Sequence, residues 1–162
     1  MTPNPPKVVF DCNIFVQALI NLNGPAGRCL QEAREGYFTL IASPYVLAEV
    51  REIYLKTPAK YGITSEQTDE LARAIASWAT IVTDVPSIYR HAYDPDDSHY
   101  VDLALKEDAR FIVSRDRHLL MLADRSNKEG QDFQLRFPTL RILDPVQFIG
   151  EMNLSRRTGE RS

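Results

Sequence analysis

The stretch DPDDSHYVDLALKEDARFIVSRD, residues 94–116, decides the fold class. It opens with three carboxylates in four residues, Asp94, Asp96 and Asp97, and passes through a helix-like segment carrying Tyr100, Val101, Leu103, Ala104 and Leu105. It then turns over residues 106–110 and enters the apolar run Phe111, Ile112, Val113 before Ser114, Arg115 and Asp116. A helix feeding a buried strand is half of a parallel α/β unit, and ligands of such sheets gather where strands end and helices begin. Acids stand at both of those places. Packing alone gives no reason to crowd Asp94, Asp96 and Asp97, because neighbouring like charges repel and raise one another's pKa. Two readings account for them. One is capping, with Asp as a preferred N-cap, Pro95 suited to a first turn, and the extra acids favoured by the helix dipole. The other is a cation site, since hard divalent ions take carboxylate oxygens and cancel their repulsion.

Acids at other strand ends tip the balance. Lys7, Val8, Val9 and Phe10 read as a strand that stops at Asp11, Cys12 and Asn13 before the helical pattern of Ile14, Phe15, Ala18 and Leu19. Asp11 thus falls at the carboxyl end of a central strand, as a ligand or as an N-cap, and Asn13 shares either role. A turn at residues 21–25 leads to a helix near residues 26–35 closed by Gly36, and residues 37–41 form the next strand. Ser43 and Pro44 start a helix whose apolar stripe is Val46, Leu47, Val50 and Ile53, with Glu49 at its margin. A carboxylate there is unfavourable unless paired or metal-bound. Residues 58–63 break the pattern, Ser65 begins another helix, and residues 80–82 make a brief strand. After Asp116 come a short helix, a polar loop at 124–132, a last strand near residues 140–142, and a closing helix through Phe148.

Length suits one domain, residues 1–150, followed by a polar tail at 151–162 expected to be mobile. Apolar residues make up 44% and charged residues 25% of the 162, ordinary globular values that exclude wholesale disorder. The start of the chain lacks an apolar leader and no stretch approaches a membrane span, so a soluble, cytoplasmic protein is expected, with no membrane partner. Cys12 and Cys29 are too few for a disulfide framework. A net charge of −3 offers nucleic acid no whole-surface attraction. Residues 1–100 hold 8 basic and 12 acidic side chains and residues 101–162 hold 11 and 10, so the later part is the better place to seek phosphate contacts.

Strands alternating with helices favour a parallel sheet covered on both faces. On that scaffold Asp11, Glu49, the acids at 94–97 and Asp116 converge at one edge. Few, all-oxygen ligands suit Mg²⁺ or Mn²⁺, and such a site supports phosphodiester hydrolysis by water without a side-chain nucleophile.

The segments VVFDCNIFVQAL, SPYVLAEVREI and DPDDSHYVDLALKEDARFIVSRDRHLL, in that order and spacing, resemble the PIN-domain ribonucleases over roughly residues 7–150. The nearest likeness is to the VapC-like toxins of toxin–antitoxin pairs. The resemblance implies a three-layer α/β/α sandwich with a mostly parallel central sheet. It also implies an endoribonuclease using one or two Mg²⁺ or Mn²⁺ ions, a partner antitoxin that holds it inactive, and in many cases a homodimer. Asp11 matches the first family acid, Glu49 the second and Asp116 the last. Many members place the third acid where this chain has Ser98, so Asp97 takes the role from the adjacent position, with Asp96 as its substitute and Asp102 one turn further along the same cleft. Ser114 matches the family's Ser or Thr before the last acid, and Arg115, Arg117 and His118 flank the site.

Other readings are weaker. An aspartate-nucleophile phosphatase needs a second acid two residues after the first, where this chain has Asn13. His91, His99 and His118 lack the regular spacing of a zinc site. A binding scaffold that keeps the fold without catalysis has no need of four acids.

Overall fold

In the computed structural model, which describes residues 4–91 and 93–160, five parallel strands form a single sheet in the order β3-β2-β1-β4-β5. The strands are β1 (Lys7–Phe10), β2 (Thr39–Ala42), β3 (Thr80–Ile81), β4 (Phe111–Val113) and β5 (Arg141–Leu143). Parallel strands need crossover connections, and helices supply them. Between β1 and β2 run α1 (Cys12–Ile20) and α2 (Pro25–Arg34), and between β2 and β3 run α3 (Pro44–Arg51), α4 (Ile53–Lys56) and α5 (Ser65–Trp78). α6 (Ser98–Lys106) leads into β4, α7 (Arg117–Leu120) and α8 (Lys128–Arg136) connect β4 to β5, and α9 (Pro145–Glu160) closes the chain. The result is the expected α/β/α sandwich.

The strands read as unbroken apolar runs because helices cover both of their faces. Val8, Val9, Phe10, Phe111, Ile112 and Val113 are all buried. Phe10 is the hub of an aromatic cluster, with ring centroids 5.8 Å from Phe15, 5.8 Å from Phe38 and 6.5 Å from Phe148. This cluster ties α1 and α9 to the sheet.

Register positions the site. Val8, Val9 and Phe10 pair with Phe111, Ile112 and Val113, and the ladder runs one bond further, from Asp11 N–H to the Val113 carbonyl (3.0 Å). Ser114 N–H likewise reaches the Leu143 carbonyl at 2.9 Å. The chain leaves β1 toward β2 on one side, while β4 lies on the other. The crevice beyond β1 and β4 is therefore the point where connections diverge and ligands of open sheets bind. Asp11 and Ser114 stand at its two lips.

Two elements differ from the sequence reading. The segment expected as a polar loop at 124–132 contains the start of α8, capped by Asn127 Oδ1 accepting from Gly130 N–H at 2.7 Å. Only Gly130 and Phe133 are buried along that helix, too few to write an apolar period into the sequence. The closing helix continues past Phe148 to Glu160, so the polar segment from 151 is helical that far. Met152 is buried on it, and Arg156 Nη2 lies 2.8 Å from Glu32 Oε1 of α2. Strand ends also move by a residue or two, the usual scatter of such boundaries.

Candidate metal centre

Asp11, Glu49, Asp97 and Asp116, distant in sequence, line one cleft of about 320 Å³ together with Asn13, Asp96 and Tyr100. A larger hollow of about 550 Å³ lies beside β5, lined by residues such as Leu122, Phe133 and Gln134. It holds none of the four, so the acids single out the smaller space.

Each acid arrives by a different local device. Asp11 follows β1 directly and caps α1, its Oδ1 accepting from Asn13 N–H at 3.2 Å while its Oδ2 accepts from the Ser114 hydroxyl at 2.7 Å. Ser114 Oγ in turn accepts from Asp116 N–H at 2.9 Å. One hydroxyl therefore links the ends of β1 and β4. Asp116 caps α7 by accepting from His118 N–H at 2.7 Å. Capping and a role in the cleft do not exclude each other, because a carboxylate offers two oxygens with two lone pairs each.

Glu49 projects from the second turn of α3 and is held from two sides. Tyr100 of α6 donates its hydroxyl to Glu49 Oε1 at 2.7 Å and accepts from Cys12 N–H at 3.1 Å. His99 Nε2 lies 3.2 Å from the same Glu49 oxygen. Burial, with Asp11 and Glu49 close by, raises the Tyr100 hydroxyl pKa, so it remains a donor. The same surroundings push the Cys12 thiol up to about 12 and keep it from acting as a nucleophile.

Asp97 is the most constrained of the four. It sits at the end of the short turn Pro95–Asp97 that opens α6, is 8% exposed, and its Oδ2 is buried without any hydrogen-bond partner. Burial first, then Asp116, Asp94, Asp11 and Glu49, push its pKa up to about 7. Burial also raises Asp11, against the lowering effect of its Ser114 and Asn13 hydrogen bonds. Leaving a buried carboxylate oxygen unpaired among four other acids is costly, and a divalent cation relieves both the repulsion and the missing partner. The donor set fits a hard divalent ion on that ground.

Several expected residues fall as follows. Asp96 is exposed at the rim of the cleft, and Ser98 Oγ is taken up in accepting from His91 N–H at 2.7 Å. Asp102, expected in the same cleft, turns elsewhere. Its Oδ1 accepts from Ile88 N–H at 2.9 Å and Tyr89 N–H at 2.7 Å, and it lines a neighbouring groove with Ser43 and Tyr45. Asn13, Arg115 and Arg117 are exposed.

Sequence reasoning passed over two features. Among the described residues, ligand-capable atoms of Asp94, Asp97, Asp116 and His118 all lie within 4.8 Å of one another. The sequence placed Asp94 among the crowded acids and His118 at the flank of the site, but not the two in one ligand group; Asp94 also serves as a cap, its Oδ1 accepting from Asp96 N–H. The other is Tyr100, named in the sequence only as part of the helix-like segment and given no role in the cleft. Its position three residues after Asp97 puts it one helical turn along the same face.

A family profile described as "PIN domain" matches residues 7–118, from β1 into α7, and so includes every acid of the cleft. Uncharacterized protein MJ1680 of Methanocaldococcus jannaschii is 26% identical over 145 residues, covering 90% of this chain and 90% of that protein.

Proposed function

The chain belongs to the PIN-domain family, and on that premise we propose that it is a divalent-metal-dependent endoribonuclease. The observation that carries the reading is the convergence of Asp11, Glu49, Asp97 and Asp116 on one cleft, with a buried oxygen of Asp97 left without a partner. Asp11, Asp97 and Asp116 would hold one or two Mg²⁺ or Mn²⁺ ions. When bound, such ions position a water, lower its pKa and offset charge on the attacking and leaving oxygens.

The chain's own residues do the rest. Ser114 fixes the rotamer of Asp11 and, through Asp116 N–H, the turn that carries Asp116. Glu49, oriented by the Tyr100 hydroxyl, would hold a second ion or position the attacking water. Arg115 and Arg117, exposed on either side of Asp116, offer the cationic groups for a contact with the RNA backbone, and Asn13 lines the cleft. In-line attack leaves a 5′-phosphate and a 3′-hydroxyl.

Incubation of a single-stranded RNA with the protein in Mn²⁺ and in EDTA tests this. Cleavage that needs the ion and disappears in Asp11→Asn is expected. Products ending in a 2′,3′-cyclic phosphate, or cleavage undiminished by EDTA, would count against it.

The finer reading is the toxin of a toxin–antitoxin pair, acting in the cytoplasm, held by a protein antitoxin and assembled as a homodimer. The likeness of the three sequence segments supports it. Affinity capture from the native host checks the partner: a small protein that co-purifies and suppresses cleavage is expected, and capture of RNA-processing factors alone would remove the toxin assignment.

A further inference from the structure

We propose that His118 is a ligand of a mixed nitrogen and oxygen cation site formed with Asp94, Asp97 and Asp116, and that this site prefers Mn²⁺ to Mg²⁺. The inference rests on the nuclease reading of the cleft and extends it to the metal's identity.

Asp94, Asp97, Asp116 and His118 each bring one ligand-capable atom to within 4.8 Å of all the others. An octahedral ion with bonds of about 2.1 Å spans about 4.2 Å between opposed ligands, so the group matches one coordination shell with little rearrangement. An acidic cluster alone would be weak ground. The independent observation is Asp97, 8% exposed, whose Oδ2 is shut off from solvent with no hydrogen-bond partner.

Among the described residues the imidazole nitrogens make no hydrogen bond, and the polar groups at ion-pair distance are two carboxylates. His118 Nδ1 stands 3.6 Å from Asp94 Oδ2 and 3.8 Å from Asp116 Oδ1, outside hydrogen-bond range of both. A shared ion is what brings such atoms to use together.

The two segments that bear these ligands are clasped by His91, itself 1% exposed. Its Nδ1 accepts the backbone N–H groups of Tyr93 and Asp94, both at 3.1 Å. The ring proton therefore sits on Nε2, which donates to the His118 carbonyl at 2.6 Å. One buried ring thus fixes the Asp94 backbone against the His118 backbone, the kind of support that orients metal ligands. Imidazole binds Mg²⁺ poorly; Mn²⁺, although the weakest binder of the first-row divalent ions, accepts it more readily than Mg²⁺, which sets the direction of the preference.

The test is pulsed electron paramagnetic resonance of the full chain with one equivalent of Mn²⁺, alongside calorimetric Mn²⁺ and Mg²⁺ titrations. Coupling of the Mn²⁺ spin to an imidazole ¹⁴N is expected in the parent and in His99→Gln, whose ring lies beside Glu49, and is expected to vanish in His118→Gln. The same His118→Gln substitution is expected to weaken Mn²⁺ binding about 10-fold or more and Mg²⁺ binding by less than about 3-fold. It leaves the His118 backbone bonds in place, and a thermal melt verifies the fold. Mn²⁺ bound without nitrogen coupling, or coupling that survives in His118→Gln and disappears in His99→Gln, would overturn the proposal while leaving the nuclease reading intact. A parent protein that binds neither ion and cleaves no RNA would remove both.

Discussion

At the scale of single residues, the acids of the cleft divide their oxygens between backbone and ligand. Asp11, Asp94 and Asp116 each accept a capping bond from an N–H two residues on. Asp97 has no such bond, so its energetics are the most exposed to pH and metal. The raised pKa has a definite sign. Between the ordinary value of 3.8 and about 7, the folded protein keeps a proton on Asp97 that the unfolded chain has released. The stabilisation it provides is complete below the lower value and is lost as pH rises through the upper one. Urea unfolding in EDTA at pH 5 and 7.5 should show a smaller loss of stability with rising pH in Asp97→Asn than in the parent; equal losses would refute the assignment. Tyr100→Phe removes the donor that orients Glu49 and should lower the cleavage rate about 10-fold or more at unchanged fold, the worth of one hydrogen bond to a charged group. An unchanged rate would mean that Glu49 finds its place without help.

At the scale of elements, what the sequence revealed depended on how much apolar pattern each segment carries. β1 with Asp11, α3 with Glu49, and α6 with β4 were readable because strands covered on both faces and helices packed on the sheet write their period into the sequence. α8 was not, with Gly130 and Phe133 its only buried residues, and its identity rests on close backbone approach instead. A Cβ at Gly130 would fall 1.9 Å from the Asp124 carbonyl oxygen. Gly130→Ala should therefore destabilise the protein by about 1–3 kcal/mol, measured by chemical denaturation, because backbone must shift to admit it. The polar end of α9 was equally opaque. Its anchor is Arg156, 3.9 Å above the Tyr37 ring and paired with buried Glu32. Arg156→Ala leaves the buried Glu32 carboxylate with only the longer Arg28 contact at 3.5 Å and should lower stability by about 1–3 kcal/mol. A change within about 0.5 kcal/mol would show that the apolar contacts of the helix, Phe148 and Met152 among them, dock it without the Arg156 pair.

At the scale of the whole molecule, the parallel order with β1 at its centre forces the connections apart beside β4, and that divergence opens the cleft. Order along the chain and strand-end position were legible and brought the four acids to one edge. The approach of Asp94 to His118 was not, because it depends on cap geometry and on the His91 clasp rather than on any periodicity. Among the described residues no helix is long and apolar enough to cross a membrane. Ions that bind only the folded state stabilise it by mass action, so saturating Mn²⁺ at about 100 times its dissociation constant should add about 2.7 kcal/mol and raise the melting temperature. The most direct measurement is an anomalous difference map from a crystal grown with Mn²⁺. A peak within coordination distance of Asp97 and Asp116, with Asp11 or His118 completing the shell, is the predicted result. A protein saturated with Mn²⁺ that shows no peak in this cleft would contradict the account.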